Sequence, residues 1–158
     1  MSPKEGRAEE IPFSLFDLVS HATLRQGESC DPVNVAAMEN DAIIATVMNY
    51  FEGWFEGNSE RMRSALHPDL NKRHIPLDLP EARLSAPSTA TQMIRWTRDG
   101  EGKAERPLDP AIKVRIDDVY RQIATVTVYS AVYVEYLQLM RTPEGWRIVN
   151  ALYMRRND

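Results

Sequence analysis

Residues 135–150, EYLQLMRTPEGWRIVN, decide how the second half of this chain folds. Two apolar-rich runs flank Thr142-Pro143-Glu144-Gly145, where proline presets φ and glycine is free to take positive φ. Each run alternates with a period of two, so each reads as a strand and the pair as a hairpin. Pairing Arg141 with Trp146 sets Leu139 opposite Ile148, Leu137 opposite Asn150 and Glu135 opposite Leu152. Glu135 and Asn150 then lie diagonally, roughly 7–8 Å apart, on an otherwise apolar inward face.

Upstream of the hairpin, Ile112, Val114 and Ile116 alternate, and so do Ala124, Val126 and Val128. Consecutive strands with short links predict an antiparallel sheet, although the connection at Ser130-Ala131-Val132 lacks Gly, Pro or Asn. Further upstream the period becomes helical. From Val35 to Glu56, the residues Ile44, Val47, Met48, Phe51, Trp54 and Phe55 fall three and four apart, and Gly57 supplies the stop. Asn58 or Ser59 caps a second helix, with Met62, Ala65 and Leu66 as its buried stripe and an end at His67-Pro68. Residues 69–87 carry Pro76, Pro80 and Pro87 and read as extended or looping, with room for one brief strand. Ser88 or Thr89 opens a third helix whose inward side is Ala90, Met93, Ile94 and Thr97, and Asp99 to Pro110 reads as a polar loop. Helices first and strands last make the fold class α+β. The domain is expected over 35–158. Residues 1–34 form an extension whose apolar island, Phe13 to Leu24, is expected to dock on a protein surface.

At 158 residues the chain fits one domain with one core, able to fold without disulfides or metal. A net charge of -4 argues against a nucleic-acid surface, and no apolar run is long enough to span a membrane. Cys30 has no partner for a disulfide, so a cytoplasmic location is expected. His21, His67 and His74 lack metal-ligand spacing, and there is no phosphate-binding glycine loop, nucleophilic serine motif or dinucleotide fingerprint. No metal and no cofactor are expected. On the other parity of the strands, Val134, Tyr136, Met140, Val149, Ala151 and Tyr153 are also largely apolar. A sheet with two apolar sides needs a second cover, which predicts a homodimer through the outer sheet face.

Two longer stretches carry a resemblance: YFEGWFEGNSERMRSALHPDL, residues 50–70, and YVEYLQLMRTPEGWRIVNALY, residues 133–153. Over residues 39 to 154 the chain resembles the nuclear transport factor 2-like superfamily, and within it the putative lumazine-binding group. The resemblance implies a cystatin-like, cone-shaped barrel in which a curved antiparallel sheet wraps around three N-terminal helices and leaves a pocket at its wide end. Related sequences often carry Asp where this chain has Glu135. The superfamily includes ketosteroid isomerases, scytalone dehydratases, SnoaL-like cyclases and epoxide hydrolases beside proteins without catalysis, so the fold alone chooses no reaction.

In the enzymes of that superfamily a carboxylate or imidazole sits in an apolar cavity, where desolvation brings its pKa toward neutrality. His67, near the expected mouth, is one such candidate, with Asp69 able to orient it; the plainer reading is that its ring locks the helix end. Glu135 is the other, a general base with Asn150 helping to hold an oxyanion, or else a solvated carboxylate at the sheet rim. Tyr50, Trp54, Trp96 and Trp146 could line a pocket for a flat ligand, or simply fill the core. His74, beside Lys72 and Arg73, is expected in an exposed loop. The leading expectation is a small-molecule-binding protein for an apolar or aromatic ligand. The alternative is a cofactor-free isomerase, dehydratase or cyclase using His67 or Glu135 for proton transfer. A dimerisation scaffold with a filled core is the third.

Overall fold

The structure is a computed structural model that describes residues 32–76 and 83–156. The apolar island Phe13 to Leu24 and Cys30 lie outside the described residues. The described residues all fall within one compact unit.

Helix α1 spans Pro32–Glu56 and α2 Ser59–Ala65. Gly57, with φ of 69°, makes the turn between them, and the Asn58 side chain caps α2 by accepting from the Arg61 N–H. The buried line of α1 is Ile43, Val47, Tyr50, Phe51 and Phe55. Ile44, expected inward, is 37% exposed, because the helix is rotated to bring Ile43 and Tyr50 onto the sheet. Residues Ala90–Arg98 form α3, opened by a capping box in which Thr89 and Gln92 each satisfy the other's backbone N–H. Within the expected loop, Glu101–Ala104 makes one further turn of helix, α4. Gly102 is buried there because a Cβ at that position would lie 2.3 Å from the Trp54 ring.

The strands are β1 Leu66–His74, β2 Lys113–Tyr120, β3 Ile123–Tyr129, β4 Tyr133–Thr142 and β5 Gly145–Arg155. They form one curved, open sheet in the order β1-β5-β4-β3-β2. Four strands are antiparallel as expected, but β1 joins the edge of β5 in parallel, so the sheet is mixed. The proline-bound segment after α2 is therefore a nine-residue strand that starts at Leu66, directly after the helix. The turn between β3 and β4 needs no glycine, because the Ser130 hydroxyl oxygen accepts from the N–H groups of Val132 and Tyr133.

Register in the terminal hairpin departs from the expected one at a single place. Arg141 pairs with Trp146 and Leu139 with Ile148, but Gln138 pairs with Asn150. Val149 is thus the extra residue of a β-bulge, and every position beyond it changes face. Leu137 faces Ala151 rather than Asn150, and Glu135 faces Tyr153 rather than Leu152. Ala151 and Tyr153, expected on the outer side, point inward, while Asn150 and Leu152 are exposed. A second bulge, between Ile116 and Asp118, bends β2 in the same way.

Candidate functional site

The bulge places Glu135 and Tyr153 side by side under α1, and parity along β1 turns Leu70, Lys72 and His74 toward the same interior. Glu135 is 2% exposed and Lys72 7% exposed. Lys72 Nζ lies 3.0 and 3.1 Å from the two carboxylate oxygens of Glu135 and also donates to the Tyr50 hydroxyl. That hydroxyl donates in turn to Glu135 Oε2 at 3.2 Å. The three groups form a closed ring of polar contacts supplied by α1, β1 and β4.

Aromatic rings surround this ring of contacts. Tyr153 places its face 4.0 Å from Lys72 Nζ, a cation–π contact that adds to the ion pair. His74 stacks on Tyr153 at 5.2 Å, Tyr153 meets Tyr133 edge-on at 5.6 Å, and Tyr133 stacks on Phe55 at 6.4 Å. His74 is consequently half-buried at the end of a strand and not in an exposed loop. Tyr153 is half-buried as well, so these two rings separate the polar cluster from solvent on that side. Tyr133 also donates to Glu105, which pairs with Arg155, tying the segment after α4 to the strand ends.

Burial sets the electrostatics. Desolvation lowers the Lys72 pKa, and attraction to Glu135 opposes that fall. Burial, then the Glu135 charge, drives the Tyr50 phenol well above its ordinary range, and Tyr153 rises for the same two reasons. Tyr133 is raised by burial and by Glu105. Chemically the cluster is a carboxylate with an ammonium and a phenol as its immediate proton donors, in surroundings where charge is costly.

The other expected site residues lie elsewhere. His67 sits at the start of β1, where its Nδ1 accepts from the Asp69 N–H at 3.1 Å, and the Asp69 side chain is 92% exposed. It lines a hollow of about 380 Å³ with Met140, Arg141, Thr142 and Arg147 at the hairpin tip. The run of β4 between that tip and Glu135 is roughly 15–20 Å, so the imidazole and the carboxylate belong to different places. Asn150 is on the outer face, where its Nδ2 donates to Gln138 Oε1 at 2.9 Å, and cannot assist Glu135. Trp146 is buried with its indole N–H donating to Glu39 at 2.9 Å. Trp54 packs over Gly102, and Trp96 lies half-buried on α3. Of the expected aromatic set, Tyr50 alone joins the cluster. Lys72 and Tyr133 are not among the residues expected at the site, and Tyr153 was expected on the outer face of the sheet. The signal for Lys72 was its parity with Leu70, together with a carboxylate on an inward strand that needed a cation.

No group of three or more His, Cys, Asp or Glu side chains among the described residues is placed to hold a metal ion. No helix among them is long and apolar enough to cross a membrane.

Residues 38–154 match the family described as "Putative lumazine-binding". The chain belongs to this family. Among solved structures, an NTF-2 like protein of unknown function from Silicibacter pomeroyi is 16% identical, with a TM-score of 0.58 over 77% of this chain and 98% of that one. One from Methylobacillus flagellatus is 18% identical, with a TM-score of 0.57 over 76% and 94%. A domain with a cystatin-like fold from Nostoc punctiforme is 13% identical, with a TM-score of 0.52 over 77% and 79%. At these identities the likeness is one of fold, and it agrees with the α+β, cone-like architecture. Among curated proteins, none matches the chain significantly.

Proposed function

We propose that this member of the family binds a small apolar or aromatic molecule at the wide end of the cone, with its polar part read by Lys72, Glu135 and Tyr50. The observation that carries the reading is the sealed polar ring itself. A buried ion pair is weak evidence for stability, since apolar side chains of similar volume are often as good or better in its place. An ammonium, a carboxylate and a phenol held together beneath two half-buried rings therefore suggest a retained recognition group. Tyr153, His74 and Tyr133 offer stacking surfaces for a flat ligand that displaces His74 from the Tyr153 face.

A thermal-shift screen of the chain with aromatic heterocycles, sterols and polyketide-like compounds tests this. A binder should raise the melting temperature of the parent, as mass action requires, and leave that of a folded Tyr50→Phe/Lys72→Met/Glu135→Leu variant unmoved. A ligand that stabilises both proteins equally would place binding elsewhere and end this reading.

A second reading, cofactor-free isomerase, dehydratase or cyclase chemistry, is favoured by the Tyr50–Glu135 hydrogen bond, which joins a base to a phenol able to hold an enolate oxygen. Glu135 is the proton-transfer group in that reading; His67, tied to the Asp69 backbone, is the weaker choice. Homodimerisation through the outer sheet face belongs to the same proposal, supported by the exposure of Tyr120, Ile123, Tyr136, Leu152 and Met154. Sedimentation at a monomeric mass would remove it. The expected setting is the cytoplasm, away from nucleic acid and membrane, and fractionation of cells that make the protein tests that.

A further inference from the structure

The outer face of the sheet, behind Glu135, holds a hollow of about 550 Å³ whose polar walls include Arg73, Asp117, Tyr136, Gln138 and Asn150. Its apolar walls include Leu84 and Leu152. Parity places it there: Arg73 follows the inward Lys72 on β1, and Tyr136 follows the inward Glu135 on β4. The bulge at Val149 is what brings Asn150 into the same wall.

Two features of this wall are unspent. Arg73 is half-buried, and its Nε is inaccessible to solvent yet has no hydrogen-bond partner among the described residues. Buried donors of this kind are costly to leave unmade, and Arg73 lines the hollow, so an acceptor held there would satisfy the guanidinium once the side chain turns toward it. The second feature is the amide pair. Asn150 Nδ2 donates to Gln138 Oε1, which leaves the Gln138 amide nitrogen as a donor and the Asn150 carbonyl oxygen as an acceptor on two residues that line the hollow.

Charge narrows the visitor. The nearby acidic group, Asp117, is committed to Arg115 at 2.6 Å and to the Thr127 hydroxyl at 2.5 Å, so it does not serve Arg73. Its negative charge nevertheless lines the hollow, and it repels a dianion such as phosphate more strongly than a single carboxylate. Size excludes a bare ion: a water occupies about 30 Å³ of liquid, and this volume is in the range of sites for organic ligands. The Tyr136 ring, 57% of that residue being exposed, and Leu152 offer a flat apolar surface beside the amides.

We propose that the outer-face hollow is a second binding site, for a small organic acid with a flat body: its carboxylate on Arg73, its ring on Tyr136 and Leu152, and a polar edge on Gln138 and Asn150. The site is separated from the Lys72–Glu135–Tyr50 cluster by the thickness of the sheet and does not depend on it. It lies in the face through which homodimerisation is proposed, so the test must separate a ligand from a second copy of the chain.

Calorimetric titration of the whole chain with 2-naphthoate, with 2-naphthamide as the neutral control and 2-naphthyl phosphate as the dianion, provides that test. Saturable binding of 2-naphthoate at one site per chain is expected, at least tenfold tighter than either control. Arg73→Gln should weaken it at least tenfold with no change in circular dichroism, Arg73→Lys should restore part of it, and Asn150→Ala should give a smaller loss. The Tyr50→Phe/Lys72→Met/Glu135→Leu variant should bind 2-naphthoate within twofold of the parent, which keeps this result independent of the inner site. Absent saturation, equal affinity for the amide, or indifference to Arg73→Gln would each overturn the proposal. So would Arg73→Gln changing the sedimenting mass, which would give the hollow to a second copy instead.

Discussion

Removing Lys72 alone should be among the most damaging single changes to this protein. In Lys72→Met the aliphatic stem is largely replaced, but the Glu135 carboxylate, 2% exposed, loses the ammonium that lay 3.0 and 3.1 Å from its oxygens. Tyr50 remains as a donor to it, and one neutral hydrogen bond does not offset a desolvated charge. Breaking a buried pair in this way costs about 3–5 kcal/mol, a large part of the stability of a single domain. Glu135→Leu should cost a similar amount, since it strands the ammonium. Replacing all three groups, as Tyr50→Phe/Lys72→Met/Glu135→Leu, leaves no orphan and should recover most of the loss, ending near the parent or about 1–4 kcal/mol above it. Urea unfolding at neutral pH, followed by circular dichroism and extrapolated to water, measures each member of the cycle. If Lys72→Met costs less than about 1 kcal/mol, the carboxylate has access to water and the sealed cluster is refuted. If the triple variant is as unstable as the single ones, the losses come from packing and not from charge.

Alkaline pH should expose the same burial. Tyr50, Tyr133 and Tyr153 all have raised pKa values, so above about pH 10 the unfolded chain releases phenolic protons that the folded chain keeps, and stability falls as pH rises through that range. Lys72 works oppositely below its ordinary value: its lowered pKa means that the unfolded state holds the extra proton, so its contribution improves with rising pH until about 10.4. Unfolding free energies across pH 8–12, with absorbance near 295 nm reporting phenolate, should show the Tyr50, Tyr133 and Tyr153 phenols ionising at higher pH in the folded chain than in the unfolded one. Gly102→Ala should destabilise by about 1–3 kcal/mol, because the new methyl would meet the Trp54 ring at 2.3 Å and must displace α4; denaturation with an unchanged midpoint would contradict that packing. Thr89→Ala removes half of the capping box of α3 and should cost about 1 kcal/mol, measured in the same way.

The part of this fold that depends on local pattern was open to reading in the sequence, and the part that depends on one inserted residue was not. Strict alternation carried Leu139, Ile148 and Trp146 to the correct face, because all lie on the hairpin side of Val149. Beyond the bulge the same rule inverted Asn150, Ala151, Leu152 and Tyr153 together, which removed Asn150 from the inner site and hid Tyr153 from consideration. Residues 148–152, Ile-Val-Asn-Ala-Leu, do carry a trace of it, since adjacent apolar pairs flanking one polar residue fit a strand that changes parity better than one that keeps it.

Lys72 was harder for a different reason. Its strand pairs in parallel with β5 across a long sequence separation, and between Leu66 and Asn71 the strand slips against Ile148 to Asn150, where Pro68 has no N–H to give to a ladder. No hairpin and no continuous alternation announces such a strand. What could be inferred without it was a demand: an inward carboxylate at Glu135 must meet a cation, a proton or a ligand. Lys72 and Arg73 were adjacent basic residues, and a strand sends neighbours to opposite faces, so one of them had to answer Glu135 and the other could not. The same step of parity that gives the inner cluster its ammonium therefore sends Arg73 to the outer face, where its Nε is buried without a partner among the described residues.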